Sequence, residues 1–261
     1  IRDRAYRDYC ALFPSTYDSD SVLIEATPTY LDRGGRLARN IKDLLPNARL
    51  IFVLREPTAR LLSYFRSKHG METSPVANVD FVDFARQALT EAGSETTQGP
   101  DYNSFGWQLI KAQYGRFLLE YLEVFEAENI YVTFFDYLVR DAAAVTKDVC
   151  RFLDIDTSIY DTYEFSIENK SRVHRSSTLR TIASHTNAFA EPLLNRVPAI
   201  RKLLRYGYNA VNVEPRQSNE AADNDVLERL RDYYIPHNRT TRDVLVNHLG
   251  VKRLPPWLTD T

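Results

Sequence analysis

The sequence predicts an α/β protein with a parallel sheet, followed by a mainly helical C-terminal part. Two continuously apolar runs, Arg49–Leu54 and Asn129–Phe134, have the character of strands buried in a parallel sheet. Each is followed by a stretch of helical spacing, so strands and helices alternate up to residue 153 in the manner of right-handed βαβ units. Beyond that point, 178–206 and 222–249 read as helices.

Taken in order, residues 1–12 are helical and stop at Phe13-Pro14, because a proline disfavours helical backbone in the residue before it. Val22-Leu23-Ile24 is a short apolar strand that exits at Glu25-Ala26-Thr27-Pro28. Leu37, Ile41, Leu44 and Leu45 place a helix over 36–45. The strand Arg49–Leu54 is expected to be covered on both faces, and Pro57 opens a helix to about Lys68. Asp80 caps a helix that puts Phe81, Phe84, Ala85, Ala88 and Leu89 on one face. Residues 92–105 have loop composition, and a loop of this length is often functional. Trp107, Ile110, Tyr114, Phe117, Tyr121 and Phe125 mark one long amphipathic helix, and the strand Asn129–Phe134 is followed by Asp136 and a helix to Leu153. Residues 209–219 are the best internal linker, the last long helix ends at Gly250, and Pro255-Pro256-Trp257 closes the chain.

Composition narrows the function classes. A net charge of −2 over 261 residues lacks the basic excess of a nucleic-acid binder, so an anionic ligand must be held by a local cluster. Cys10 and Cys150 cannot form a disulfide framework or a zinc site unaided, which favours a reducing, cytoplasmic setting. None of the five histidines has the spacing of a metal site or a triad, and no metal is expected. No run of 18 apolar residues is present.

The sharpest feature is the stretch from Leu50 to Phe65. A buried strand delivers Arg55 to its C-terminal edge, where open α/β sheets bind ligands. The helix starting near Pro57 offers orphan N–H groups and a positive dipole end. Arg60, Ser63 and Ser67 share a polar face of that helix, opposite Leu61, Leu62 and Phe65. A guanidinium, a hydroxyl and a helix terminus together suit a phosphate. The plain alternative is that Arg55 pairs with Glu56 or Glu25 and Arg60 merely covers the sheet.

The stretch resembles the 3′-phosphate-binding motif of sulfotransferases that use 3′-phosphoadenylyl sulfate (PAPS): an apolar strand, Arg-(Asn/Glu/Asp)-Pro, then Arg and Ser on the next helix. Three further segments resemble carbohydrate and bacterial members in the same order: Ile24–Leu31, Gln113–Phe117 with the following strand, and Leu230–Tyr234 with Pro236, Asn238 and the closing Trp257. The resemblance implies a P-loop-NTPase-like three-layer sandwich around the parallel sheet. It also implies transfer of a sulfuryl group from PAPS to a hydroxyl, less readily an amine, of a small molecule or glycan, releasing 3′-phosphoadenosine 5′-phosphate (PAP). Arg55 and Ser63 would hold the 3′-phosphate, with Arg60 supporting them. A basic loop at this stage of similar chains closes over the nucleotide, which makes Lys170 and Arg172 further candidates; otherwise they form a solvated loop facing Glu164 or Glu168. Glu25, at the end of its strand, is a candidate general base, against a plainer role in ordering the strand end or pairing with Arg55. Loops 69–79 and 92–105 would shape the acceptor site.

The sequence departs from the family in one respect. Nothing matches the N-terminal Pro-Lys-x-Gly-Thr-type loop that cradles the 5′-phosphosulfate, and Gly34-Gly35 lacks both a preceding strand and a following Lys. Residues 1–261 are therefore expected to form a single sulfotransferase domain without that loop, its strand and its helix. The chain opens on Ile, and a Golgi setting would follow if an N-terminal anchor had been removed. Rival readings are a P-loop kinase-like phosphotransferase, which would need a Walker-type Lys-Ser/Thr and an Asp at a strand end, and a degenerate, non-catalytic binding module.

Overall fold

The structure is a computed structural model that describes residues 2–13, 21–71, 73–93, 102–165, 172–174, 213–215 and 224–260. It is an α/β fold centred on a parallel pair of strands, β1 (Leu50–Leu54) and β2 (Ile130–Phe134), registered from Leu50 opposite Ile130 to Leu54 opposite Phe134. Helix α1 is Arg2–Cys10 and α2 is Gly34–Leu44. Helix α3 (Pro57–Lys68) follows β1 after only two residues, and α4 spans Phe81–Gly93. The Asp80 carboxylate accepts the Val82 amide at 2.7 Å, the cap expected for α4.

The amphipathic stretch from Trp107 is broken into α5 (Phe105–Ile110) and α6 (Tyr114–Leu122) rather than running as one helix. At the break, Lys111 reaches the buried Asp32 carboxylate at 3.2 Å, and the Gln113 amide donates to the Tyr233 hydroxyl at 2.8 Å. These polar anchors set the turn, while the apolar stripe stays inward on both sides of it. Asp141 likewise divides the helix expected after β2 into α7 (Phe135–Arg140) and α8 (Ala142–Leu153), accepting the Ala144 amide as the cap of the second.

Arg172–His174 (β3) and Val213–Pro215 (β4) form a small antiparallel pair, with Val173 opposite Glu214. The strand β4 lies inside the expected linker, and the helix expected over 178–206 lies outside the described residues. The last long helix, α9 (Asn224–Asn247), ends before Gly250 (φ 63°), and α10 is Pro256–Thr259.

Two expectations fail. Val22-Leu23-Ile24 forms no strand: it has no ladder partner among the described residues, and its side chains are 45%, 41% and 64% exposed. Strand β1 is not covered on both faces either. Phe52 and Leu54 are buried, but Val53 between them is 51% exposed, the alternation of a half-covered sheet. The core therefore lies on one side, where Leu54, Leu61, Phe65, Phe84, Leu118, Tyr121, Leu230, Tyr234 and Leu245 pack together.

Helices α6 and α9 meet at Gly115. Its amide donates to the Thr241 hydroxyl at 3.0 Å, and a Cβ there would lie 2.7 Å from the Thr241 backbone nitrogen. Only glycine permits that approach.

Candidate functional site

Arg55 leaves β1 at its C-terminal end, where the two residues before Pro57 turn the chain into α3. Its carbonyl accepts the Tyr114 hydroxyl at 2.8 Å, which ties the strand end to the start of α6. Tyr114 is itself buried, and burial raises its phenol above the ordinary value, so the hydroxyl stays a donor. Trp257 packs edge-on against both Tyr114 and Phe134, and its carbonyl accepts the Asn238 amide at 3.3 Å. The closing tryptophan thereby supports the strand end that carries Arg55.

The Arg55 guanidinium sits over the Phe135 ring, 4.5 Å from its centroid. Among the described residues it makes no hydrogen bond or ion pair with a carboxylate. The alternative pairing with Glu56 does not form, for a local reason. The Glu56 carboxylate turns onto the start of α3 and accepts the amides of Thr58 at 2.8 Å and Ala59 at 2.5 Å. Glu56 is the N-cap of that helix. This corrects the expectation of open N–H groups at the helix start, because the protein's own carboxylate satisfies two of them.

Ser63, two turns into α3, is half-buried, and its hydroxyl has no hydrogen-bond partner among the described residues. Arg60 is committed elsewhere: its guanidinium donates to the Gln108 carbonyl of α5. Ser67 is exposed and donates to the Tyr64 carbonyl at 2.8 Å. Of the expected polar face, Ser63 is thus open to a ligand while Arg60 joins α3 to α5.

Glu25 lies in a segment without regular secondary structure rather than at a strand end, and accepts the Thr27 hydroxyl. The segment is held by Tyr121, whose hydroxyl donates to the Tyr30 carbonyl at 2.8 Å. Burial raises the Tyr30 phenol, with a further upward push from Glu25 beside it. Glu25 makes no ion pair with Arg55 among the described residues. Lys170 lies outside the described residues, and Arg172 is placed only as the first residue of β3, opposite Pro215.

Two further polar features nearby are committed to the fold. The Gly35 amide donates to the Glu120 carboxylate at 2.7 Å, so the Gly34-Gly35 turn presents that amide to its own chain. His69 Nδ1 lies 3.1 Å from the Val76 carbonyl, and its ring stacks on Phe65.

A cleft of about 260 Å³ opens beside α3, lined by Tyr64, Lys68, Ser74, Tyr102, Asn103 and Gln108 among others. It brings together the two segments expected to shape an acceptor site, although 94–101 are outside the described residues. Gln108 was not legible as a site residue. Its signal would have been a glutamine on the apolar stripe Trp107–Ile110.

Residues 38–190 match the family model for the sulfotransferase domain. A bifunctional heparan sulfate N-deacetylase/N-sulfotransferase 1 from Caenorhabditis briggsae is 24% identical over 156 residues, 59% of this chain and 17% of that protein. The chain thus spans about a sixth of that curated relative. A solved sulfotransferase structure from Alicyclobacillus acidocaldarius covers 96% of this chain and 73% of its own, with a TM-score of 0.57 and 19% identity, a likeness of fold. No described helix is long and apolar enough to cross a membrane.

Proposed function

The chain belongs to the sulfotransferase domain family, and on that premise we propose that it transfers a sulfuryl group from PAPS to a hydroxyl of a small molecule or glycan. An amine is the second acceptor atom, a reading favoured by the N-sulfotransferase named among its relatives. The observation that carries the donor assignment is the Arg55 guanidinium at the C-terminal end of β1 and the Ser63 hydroxyl on the helix that follows, neither of which has a hydrogen-bond partner among the described residues. These groups fit a phosphate: a planar fork of donors and a hydroxyl form charge-assisted hydrogen bonds to its oxygens.

When bound, PAPS supplies the sulfuryl group, a bond from sulfur to the acceptor forming as the bond from sulfur to the 5′-phosphate oxygen breaks and PAP leaves. Arg55 holds the 3′-phosphate, and Phe135 beneath its guanidinium limits the side chain's freedom. Ser63 donates to the same phosphate. The Tyr114 bond to the Arg55 carbonyl fixes the register of the strand end, and positioning of this kind is a large part of catalysis in group transfer. Glu25 takes the acceptor's proton, with the Thr27 hydroxyl orienting its carboxylate. Lys170 and Arg172 close over the nucleotide, and residues 1–261 work as a single domain.

A thermal unfolding series of the full chain with PAP tests this. A ligand that binds only the folded state adds about 2.7 kcal/mol at one hundred times its Kd. No upward shift with PAP, or an equal shift with ADP, refutes the donor assignment.

A further inference from the structure

We infer that the free edge of β2 is a docking site for an extended, acidic segment of a partner protein, which adds to the sheet as a strand beside Ile130–Phe134. The inference does not depend on the sulfotransferase reading.

A groove of about 480 Å³ runs along β2, and all five residues of the strand line it. Successive side chains of a strand point to opposite faces of its sheet, so a groove that touches five in a row lies at the strand's edge. The other edge is taken by β1, which pairs with β2 in parallel over its whole length. Beyond that ladder, Tyr131, Val132 and Thr133 make no backbone hydrogen bond among the described residues. Such an edge offers a row of open N–H and C=O groups to a chain that lies beside it.

Nothing in the strand guards that edge. Ile130-Tyr131-Val132-Thr133-Phe134 consists of β-branched and aromatic residues, the types that favour strands. It carries no charge and no proline, and its register with β1 runs without a bulge. Charges, prolines and bulges are the devices that block an edge against pairing. Helices α7 and α8 and the segment after α9 supply the remaining lining and leave the groove open.

Charge selects the occupant. Arg140, Lys252 and Arg253 line the groove, are exposed, and form no ion pair among the described residues. Arg253 lies over the Tyr137 ring, 4.9 Å from its centroid, a contact that leaves its charge unanswered. The acids that line the groove, Asp141 and Asp148, are engaged: Asp141 accepts the Ala144 amide as the cap of α8, and Asp148 pairs with Arg151. These lining residues come from two stretches described without a break, 102–165 and 224–260. Three uncompensated cations beside an open row of backbone groups fit a chain that is both extended and acidic. Tyr137, Val145 and Val251 add apolar surface for its other side chains.

The test is calorimetric titration of the full chain with a capped peptide, Thr-Glu-Val-Glu-Val-Glu-Thr. The same peptide with lysine in place of glutamate should bind about tenfold more weakly, or not at all. Two further forms carry N-methyl groups on one or the other alternate set of backbone nitrogens. A strand turns only one set towards its neighbour, so one form should lose binding and the other keep it. Bound peptide should also slow amide hydrogen exchange within 130–134. Arg140→Gln, Lys252→Gln and Arg253→Gln together should weaken the acidic peptide about tenfold, and the three side chains are exposed, so the variant folds. No binding of the acidic peptide, equal binding of its lysine form, equal behaviour of the two N-methylated forms, or unchanged exchange within 130–134 overturns the inference. Binding of dextran sulfate where the acidic peptide fails would make the groove a polyanion site and overturn it as well.

Discussion

Glu56→Ala is the substitution whose consequences the structure fixes most closely. Its carboxylate accepts two amides of α3, from Thr58 at 2.8 Å and Ala59 at 2.5 Å. Loss of an N-cap side chain typically costs about 0.5–2 kcal/mol, and loss of a negative charge at a helix N-terminus about 0.3–1 kcal/mol more. Two short bonds to one charged group put the expected loss near 2 kcal/mol, an estimate built from those two ranges. For a chain of this size that corresponds to about 4–8 °C in Tm. Calorimetry or denaturant unfolding reads it, and Glu56→Asp should recover most of the loss, because aspartate is among the preferred caps. PAP affinity should move the other way or stay level, since the substitution removes a carboxylate from the residue next to Arg55. A loss below about 0.5 kcal/mol would refute the cap, by the lower bound of the same range. A fall in PAP affinity larger than the fall in stability would refute the division of labour between Glu56 and Arg55.

Three further outcomes follow from the packing. Gly115→Ala forces a methyl group against the Thr241 backbone at 2.7 Å, and overpacking of this kind should cost about 1–3 kcal/mol in denaturant unfolding. Tyr121→Phe leaves the Tyr30 carbonyl without its hydroxyl donor, so hydrogen exchange around residues 27–31 should quicken, at a cost of about 1 kcal/mol. Tyr114, Tyr121 and Tyr234 are buried, and burial raises all three phenols above the ordinary value of 10.0. They remain protonated in the folded state while the unfolded chain ionises. Stability is therefore full below pH 10 and falls above it, by up to about 1.4 kcal/mol per pH unit for each such tyrosine, visible as phenolate absorbance rising together with unfolding.

The strand–turn–helix at the proposed donor site was legible because every local signal agreed. A continuous apolar run marked β1, and Pro57 marked the first turn of α3. The acid directly before that proline carried a further signal: Asn, Asp and Glu, the alternatives in the resembled motif, can all cap a helix, and here Glu56 does. What the sequence could not reveal depends on partners distant in the chain. The triplet Val22–Ile24 has the composition of a strand, but a strand needs a neighbour to bond, and none lies beside it among the described residues. The break at 111–113 is hidden because the apolar positions Ile110, Tyr114 and Phe117 keep helical spacing across it, while its cause lies with Asp32 and Tyr233. The cleft was anticipated only as two loops. Lys68 and Gln108, forty positions apart, meet there through the packing of α3 against α5.

The most direct test of the donor assignment is the affinity of PAP for Arg55→Ala, measured by calorimetry beside the stability of the same variant. Loss of a hydrogen bond to a charged group should weaken PAP binding by about 1.5–3 kcal/mol, while unfolding changes by no more than the roughly 1 kcal/mol of the contact with Phe135. Unchanged PAP affinity accompanied by a clear loss of stability would show that Arg55 serves the fold and not the donor.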